Sequence, residues 1–370
     1  MSVSHDEQEE KGNVFSRYYS QLSHQQNMLV DAVRTTTYQR AIFNNTSDFQ
    51  GSTVLDVGTG SGVLCFFSVQ AGAAKAYGVE MSNVAESARK LVVGNGLEGQ
   101  IEILKGKVEE VTVDSKVDII VSEPLGFLLV HERMLESYII ARDRFLKPGG
   151  KMFPTTGDII LAPFEDAQLF EEQKSRADFW NDTSFMGIDL TALHSQSLKE
   201  VFAMPVVGYF HPSILLSSTF AHHLFDFTTC TVSDLKSFTI PFDFPVSRTG
   251  VMHGIAGWFD CSFIGSACTV PLRTGPSDPG THWYQCRLLF ASPLAVNLGQ
   301  RVVGTATFQA NDSMSYDVEI KASVPGTADP EVKTAQTVYL QEQHYHYLYD
   351  QGAAVDHEGG GHVKGNGGQI

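Results

Sequence analysis

The sequence predicts an α/β fold in its first half and a β-barrel in its second, and three observations predict it. Short apolar runs alternate with helical periodicity from Thr53 to about Val121, the alternation stops near Pro154, and period-two strand patterns dominate beyond that point. Strands separated by helices imply a parallel sheet, whereas successive alternating strands imply an antiparallel sandwich or barrel.

The elements follow in order. Apolar residues Tyr18, Leu22, Met28, Leu29, Val33 and Ile42 recur at helical spacing between Phe15 and Ile42, which predicts one or two N-terminal helices. Val54-Leu55-Asp56-Val57 reads as a first strand, Gly58-Thr59-Gly60-Ser61-Gly62 as a tight turn, and Leu64, Phe66, Phe67 and Val69 as the helix after it. A second strand covers Ala76 to Glu80, a helix Val84 to Val93, a third strand Ile101 to Leu104 and a fourth Val117 to Val121. In the second half, Ser237 to Phe244 and Arg301 to Phe308 alternate cleanly. Asp166 to Met204 reads instead as a helical insertion projecting from the barrel, with Phe170, Phe179, Trp180, Phe185, Leu190 and Leu193 as interface candidates. The expected boundaries are an acidic arm at 1–13, the α/β domain at 14–153, the barrel at 154–345 and a disordered Gly-rich tail at 346–370.

Composition narrows the function. With 42% hydrophobic and 18% charged residues, the 370-residue chain has the balance of a folded globular protein of two domains. The formal net charge of −16 disfavours direct nucleic-acid binding and favours cationic partners, a basic peptide among them, although an acidic surface also serves solubility. Residues 1–13 lack an apolar core and no run resembles a membrane span, so no secretory signal and no membrane association are expected. Cys65, Cys230, Cys261, Cys268 and Cys286 lack a CxxC pair and are expected reduced, with no metal site among them; the histidines near the C-terminus have no fixed ligand spacing either.

Gly58, Gly60 and Gly62 let backbone amides approach a ligand closely, and their spacing lacks the extra residue of a dinucleotide-binding GxGxxG pattern. Glu80 ends the second strand where an acidic side chain commonly takes ribose hydroxyls. Together these features predict an adenosine-containing ligand without a pyrophosphate, a description that S-adenosylmethionine meets. Glu123 and Glu132, nine residues apart, flank an apolar hairpin after the fourth strand, the edge of such a sheet where ligands bind. Two buried like charges are costly unless a cation joins them, and a planar, forked guanidinium fits two carboxylates. The plainer reading pairs either glutamate with an internal arginine, Arg34 or Arg133.

The chain resembles the protein arginine methyltransferases from about Phe15 to Val324. The resemblance is carried by Gln25-Gln26-Asn27-Met28, Val33-Arg34-Thr35, Tyr38-Gln39-Arg40-Ala41-Ile42, Val54-Leu55-Asp56-Val57-Gly58, Gly106-Lys107-Val108-Glu109-Glu110-Val111, Ser122-Glu123-Pro124, Glu132-Arg133-Met134-Leu135-Glu136 and Thr281-His282-Trp283-Tyr284-Gln285. It implies a Rossmann-like S-adenosylmethionine methyltransferase domain, a C-terminal β-barrel and a helical dimerisation arm at about 166–204 forming a head-to-tail homodimer. It further implies that Arg34 holds the cofactor carboxylate, Glu80 the ribose, and Glu109 with Ser137 the adenine. Tyr19, Gln25, Met28, Asp56 and Met134 complete that site.

Glu123 and Glu132 become the arginine clamp, and His282 pairs with Asp31 to close it. Monomethyl and asymmetric dimethylarginine are the implied products, histones and RNA-binding proteins the implied substrates, and nucleus and cytoplasm the implied locations. Phe15 replaces a tyrosine of the family pattern, while Leu125 and Phe127 replace a methionine and a tyrosine. His131 replaces an asparagine and is expected to face outward. A methyltransferase for a small amine and a noncatalytic scaffold remain as alternatives.

Overall fold

A computed structural model describes residues 18–327 and 332–346; the expected acidic arm and all but the first residue of the Gly-rich tail lie outside the described residues. After the helical residues 18–19 come α1 (Leu22–Val30), α2 (Ala32–Phe43) and the single turn α3 (Thr46–Phe49). Asp31 separates α1 from α2 because its carboxylate accepts from the Arg34 N–H at 2.9 Å, a helix N-cap that sets where α2 begins.

The α/β domain is a five-stranded sheet in the order β3-β2-β1-β4-β5, built from β1 (Thr53–Val57), β2 (Lys75–Glu80), β3 (Ile101–Lys105), β4 (Val117–Ser122) and β5 (Leu146–Phe153). All four strand pairings are parallel. Covered on both faces, β1, β2 and β4 are almost wholly buried, which explains why they read as near-continuous apolar runs. Helices α4 (Val63–Gln70), α5 (Val84–Gly94) and α6 (Met134–Phe145) supply the crossovers and cover. In α5 the buried residues Val84, Ala85, Ala88 and Val92 form one helical stripe.

The chain runs outward from β1 to β3 and then returns to β4 on the other side of β1. That reversal opens a crevice beyond the carboxyl ends of β1 and β4, the ligand-binding position of open α/β sheets. The register pairs Val57 with both Val79 and Ser122, so Gly58, Glu80 and Glu123 each stand one residue past the same level.

The second domain contains a seven-stranded sheet, β16-β7-β12-β10-β6-β8 with β11 on β10, and a four-stranded antiparallel sheet, β15-β14-β13-β9. The long strands are β6 (Thr156–Phe164), β10 (Gly250–Ile264) and β12 (Gln285–Val296); β7 (Val206–Gly208), β8 (Ala221–Asp226), β11 (Thr269–Arg273) and β16 (His344–Tyr345) complete that sheet. The other comprises β9 (Ser237–Pro245), β13 (Arg301–Ala310), β14 (Tyr316–Val324) and β15 (Val332–Tyr339). Contacts of β8 with β9 and of β12 with β15 bring the two sheets together as a barrel. The expected insertion is two helices, α7 (Ala167–Asp178) and α8 (His194–Phe202), joined by short 3₁₀ turns and packed on one another. A further short helix, α9 (Val232–Lys236), leads into β9 and is fastened by a Thr231–Asp234 capping box.

The arm is rooted by one buried ion pair. Arg287, 1% exposed on β12, donates to Asp166 Oδ2 at 2.8 Å, while Asp166 Oδ1 caps α7 by accepting from the Leu169 N–H. Asp166→Ala leaves a buried guanidinium without its anion and strips the helix cap. We expect a stability loss of about 3 kcal/mol in urea unfolding, with the α7 amides losing hydrogen-exchange protection first.

Candidate functional site

The hairpin after β4 is one of the places where the two domains meet. Leu128 and Leu129 plug into the barrel at two strand glycines: a Cβ on Gly257 would stand 2.5 Å from Leu128, and one on Gly157 would stand 2.8 Å from Leu129. Close approach of the leucine side chains, not turn geometry, favours glycine on both strands. Trp283 Nε1 donates to the Leu125 carbonyl at 2.7 Å, tying the barrel loop that carries His282 to the same hairpin. The hairpin holds Leu128 (φ 51°), Leu129 (φ 70°), Glu132 (φ 72°) and Arg133 (φ 56°) in left-handed backbone. Each such non-glycine residue costs on the order of 1–3 kcal/mol and persists only where surrounding contacts over-determine it.

The two glutamates of this hairpin are not equivalent. Glu123 faces an internal cation: Arg34 on α2 donates from Nε and Nη2 to Glu123 Oε2 at 3.1 and 3.0 Å, and both side chains are about nine-tenths buried. Glu123 Oε1 accepts from the Leu125 N–H at 3.2 Å. Glu132 has no such cation among the described residues; its Oε1 accepts from the Tyr19 hydroxyl at 2.9 Å. Burial first, and Glu123 nearby as a like charge, outweigh that hydrogen bond and push the Glu132 carboxyl up to about 7. Burial and the same two glutamates raise the Tyr19 hydroxyl, so Tyr19 stays a neutral donor.

The plainer pairing anticipated for Glu123 is thus present in part, because Arg34 holds it; Arg133 bonds Glu136 instead, at 2.7 Å. Tyr19, expected on the cofactor side, places its hydroxyl on Glu132 and its carbonyl on Gln25 Nε2. His131 is corrected: it does not face outward but is 5% exposed, with Nδ1 2.9 Å from Ser315 Oγ and its ring 4.3 Å from Phe127.

His282 and Asp31 meet across 251 positions of sequence: Nδ1 lies 2.7 Å from Asp31 Oδ2, and the His282 backbone N–H donates to the same oxygen at 2.9 Å. Burial acts to raise the Asp31 carboxyl, but hydrogen bonds from His282 and from the Arg34 and His282 amides bring it below the usual carboxylate range. One carboxylate therefore starts the helix that carries Arg34 and anchors the loop that carries His282.

The glycine turn follows β1, the strand beside β4. Gly58, Gly60 and Gly62 all have positive φ. A Cβ at Gly58 would collide with Met134, and one at Gly60 would come within 2.6 Å of Gln25 Oε1. Gln25 Oε1 accepts from the Ser61 N–H at 3.1 Å while its Nε2 donates to the Tyr19 carbonyl at 3.0 Å, lacing the N-terminal segment onto the turn. Glu80 accepts from the N–H groups of Gly60 and Ser82 at 3.0 and 2.8 Å, using two of a carboxylate's roughly four acceptor positions.

Asp56 stands beneath the turn and not in it. It is 1% exposed, accepts from the Thr59 hydroxyl at 2.5 Å, and is pushed up to about 7 mainly by burial, with Oδ1 lacking a partner among the described residues. Glu109 and Ser137 join at 2.8 Å between their two elements. Met28 is half-buried, its carbonyl accepting from Thr35 Oγ1 at 3.3 Å. Sequence reasoning passed over Trp283, Ser315 and Tyr209, whose hydroxyl donates to the Thr281 carbonyl and braces the His282 loop. Only the position of Trp283 inside the Thr-His-Trp motif signalled any of them.

Comparison with known proteins agrees with this layout. Residues 155–325 match the model of the arginine methyltransferase oligomerization subdomain, and residues 34–152 match that of ribosomal protein L11 methyltransferase. Histone-arginine methyltransferase CARMER of Drosophila yakuba is 45% identical over 340 residues, covering 92% of this chain. The probable histone-arginine methyltransferase CARMER of Drosophila melanogaster is equally similar, and the chain spans 63% of the length of both relatives.

Among solved structures, protein arginine methyltransferase 10 of Arabidopsis thaliana aligns with a TM-score of 0.81 at 30% identity, covering 88% of this chain and 99% of that one. The Trypanosoma brucei PRMT1 enzyme-prozyme heterotetrameric complex with AdoHcy aligns with a TM-score of 0.78 at 34% identity, covering 87% and 99%. Identities of 30% and 34% along 99% of the length of these solved relatives place the chain in the protein arginine methyltransferase family.

Proposed function

We propose that this protein transfers methyl groups from S-adenosyl-L-methionine to guanidino nitrogens of protein arginines, giving monomethyl and asymmetric dimethylarginine, with histones and RNA-binding proteins as substrates. The observation that carries this reading is the asymmetric pair of glutamates: Glu123 is already balanced by Arg34, whereas Glu132 is crowded, has no cationic partner among the described residues and sits beside it. An incoming guanidinium supplies the missing positive charge and offers several N–H donors in one plane. The names of the Drosophila relatives support the reaction, and the AdoHcy of the trypanosome complex supports the donor.

The residues present fit that donor. Glu80 retains free acceptor positions for hydroxyls, the glycine turn leaves backbone room, Arg34 provides a cation, and Glu109 with Ser137 offers a polar edge. When bound, the donor supplies an electrophilic methyl group. The chain's own part is to hold the guanidinium and orient one nitrogen. Glu123 and Glu132 draw its positive charge toward themselves, leaving electron density on the attacking nitrogen. Glu132, poised near neutrality, can accept the proton released from that nitrogen at its carboxylate oxygen. Tyr19 fixes one Glu132 oxygen, and the Asp31–His282 pair holds the covering loop.

The test is mass spectrometry of arginine after incubating the protein and methyl donor with histone and Gly/Arg-rich peptides, with Glu123→Gln and Glu132→Gln as controls. Asymmetric dimethylarginine that disappears in both controls supports the proposal. Symmetric or monomethyl product alone overturns the product assignment, and donor binding without transfer favours the scaffold.

We also infer a homodimer formed through the arm, in the nucleus and cytoplasm. Phe179, Phe185, Met186, Ile188 and Leu193 are exposed on the arm, and Met186 is 89% exposed. Such a patch ordinarily marks an interface. Replacing Phe185, Met186 and Ile188 together with serine is expected to shift sedimentation from dimer to monomer, with at least about a tenfold weaker association.

A further inference from the structure

Both neighbours of Glu132 lead away from the α/β domain into one turn of the barrel. On its N-terminal side, the buried His131 ring places Nδ1 2.9 Å from Ser315 Oγ and packs 4.3 Å from the Phe127 ring. On its C-terminal side, Arg133 donates from Nη1 to the Asn311 carbonyl at 2.6 Å and from Nε to Glu136 at 2.7 Å. Asn311 and Ser315 stand at the two ends of the turn between β13 and β14.

That turn is rigid in its own right. Asn311 Oδ1 accepts from the Ser313 and Ser315 N–H groups at 3.0 and 3.1 Å, and the Asn311 N–H donates to the Ser315 carbonyl at 2.9 Å. Asn311 Nδ2 reaches Asp317 at 2.8 Å and Gln341 at 2.9 Å, tying the turn to the end of the barrel. Ser315 is fully buried.

Between these two anchors, Glu132 and Arg133 keep φ values of 72° and 56°. A side chain in left-handed backbone relaxes toward ordinary conformations unless its neighbours hold it, and relaxation swings the carboxylate. Local hydrogen bonding within the hairpin is sparse there: the Arg133 N–H reaches the Val130 carbonyl at only 3.2 Å and the His131 N–H reaches Phe127 at 3.4 Å. Tyr19 holds the Glu132 carboxylate and Glu136 holds Arg133, and the barrel adds the contacts that fix the backbone on both sides.

We infer that the β13–β14 turn is the positioning element of Glu132: through Ser315 and His131 on one side, and Asn311 and Arg133 on the other, the barrel sets where the second clamp carboxylate stands relative to Glu123. The inference rests on the proposed guanidinium clamp. His131, Arg133 and Ser315 are positioning residues acting through Glu132. Burial lowers the His131 imidazole to about 4, so at neutral pH it stays uncharged and its link to Ser315 does not add a charge beside the clamp.

The test uses the full chain with Ser315→Ala, which removes the hydroxyl partner of His131, and Ser315→Thr, which keeps it. Glutamate is labelled with carbon-13 at the carboxyl, and the Glu132 signal is assigned by its loss in Glu132→Gln. In the wild type this signal is expected to titrate near 7. In Ser315→Ala the midpoint falls by roughly one pH unit or more as the carboxylate swings into water and away from Glu123. In the same variant kcat drops on the order of tenfold to a hundredfold, well below the unfolding temperature, while KM for the methyl donor is nearly constant.

Ser315→Thr restores both readouts. A wild-type midpoint in Ser315→Ala, or a lower thermal midpoint with kcat per folded molecule unchanged, overturns the inference and leaves the turn a structural contact only. If the wild type transfers no methyl to arginine, the proposed function falls by itself. The carboxyl titration then decides the positioning role alone, a lowered midpoint supporting it and an unchanged one overturning it.

Discussion

Glu132→Gln is expected to reduce arginine methylation by a factor of about 10²–10⁴ while leaving methyl-donor affinity nearly unchanged, read by single-turnover kinetics and calorimetric donor titration. The glutamine keeps the acceptor that Tyr19 uses, so the shape of the hairpin survives while the negative charge does not. Glu123→Gln is expected to reduce the rate to a comparable extent, but it also removes the anion that Arg34 holds.

The Glu132 carboxyl, raised to about 7 by burial and by Glu123, gives this variant a distinctive pH signature. The wild-type rate should rise with pH through about 7 as the carboxylate forms. The stability effect has the opposite sign. Because the folded state binds the Glu132 proton more tightly than the unfolded chain, the folded protein loses stability as pH rises from the ordinary carboxylate range to about 7. Glu132→Gln escapes that loss. It should be more stable than the wild type at pH 8 by on the order of 1–2 kcal/mol in urea unfolding, with the advantage shrinking toward acid pH. Equal stability at both ends of the range would mean that Glu132 is not strained by its surroundings.

Arg34→Ala should be the more damaging change to the whole molecule. Its guanidinium is the internal cation on Glu123, and removing it leaves two crowded carboxylates without that positive charge beside them. Breaking a buried pair from one side costs about 3–5 kcal/mol, so a loss of about 3 kcal/mol in unfolding is expected. Donor binding should fall at least about a hundredfold, because a charge-assisted contact is lost together with the geometry of α2. Arg34→Lys separates the two contributions: a point charge restores part of the stability, but without the planar fork it restores little of the donor affinity. Wild-type donor affinity in Arg34→Ala would show that Arg34 serves Glu123 alone.

The local grammar of the chain was already sufficient for much of this architecture. Strands covered on both faces must be apolar along their length, which is why β1 and β4 could be placed from Val54–Val57 and Val117–Val121 within a residue of their ends. The glycine turn and Glu80 were legible because close backbone approach demands particular residue types at particular spacings, and Glu123 with Glu132 because paired acids around an apolar hairpin need a cation.

Tertiary structure alone decided which cation and which hydroxyl serve each acid. Arg34 reaches Glu123 across 89 positions, Tyr19 reaches Glu132 across 113, and Ser315 reaches His131 across 184. A polar His131 with no visible partner nearby is expected to face water, yet the barrel carries a buried hydroxyl to it and turns it inward. Periodicity reports only which face of an element is apolar, so it carries no information about a polar partner from a distant strand. The inequality of the two glutamates arises from that difference: their spacing is a property of the chain, but their charge balance depends on what folding packs against each.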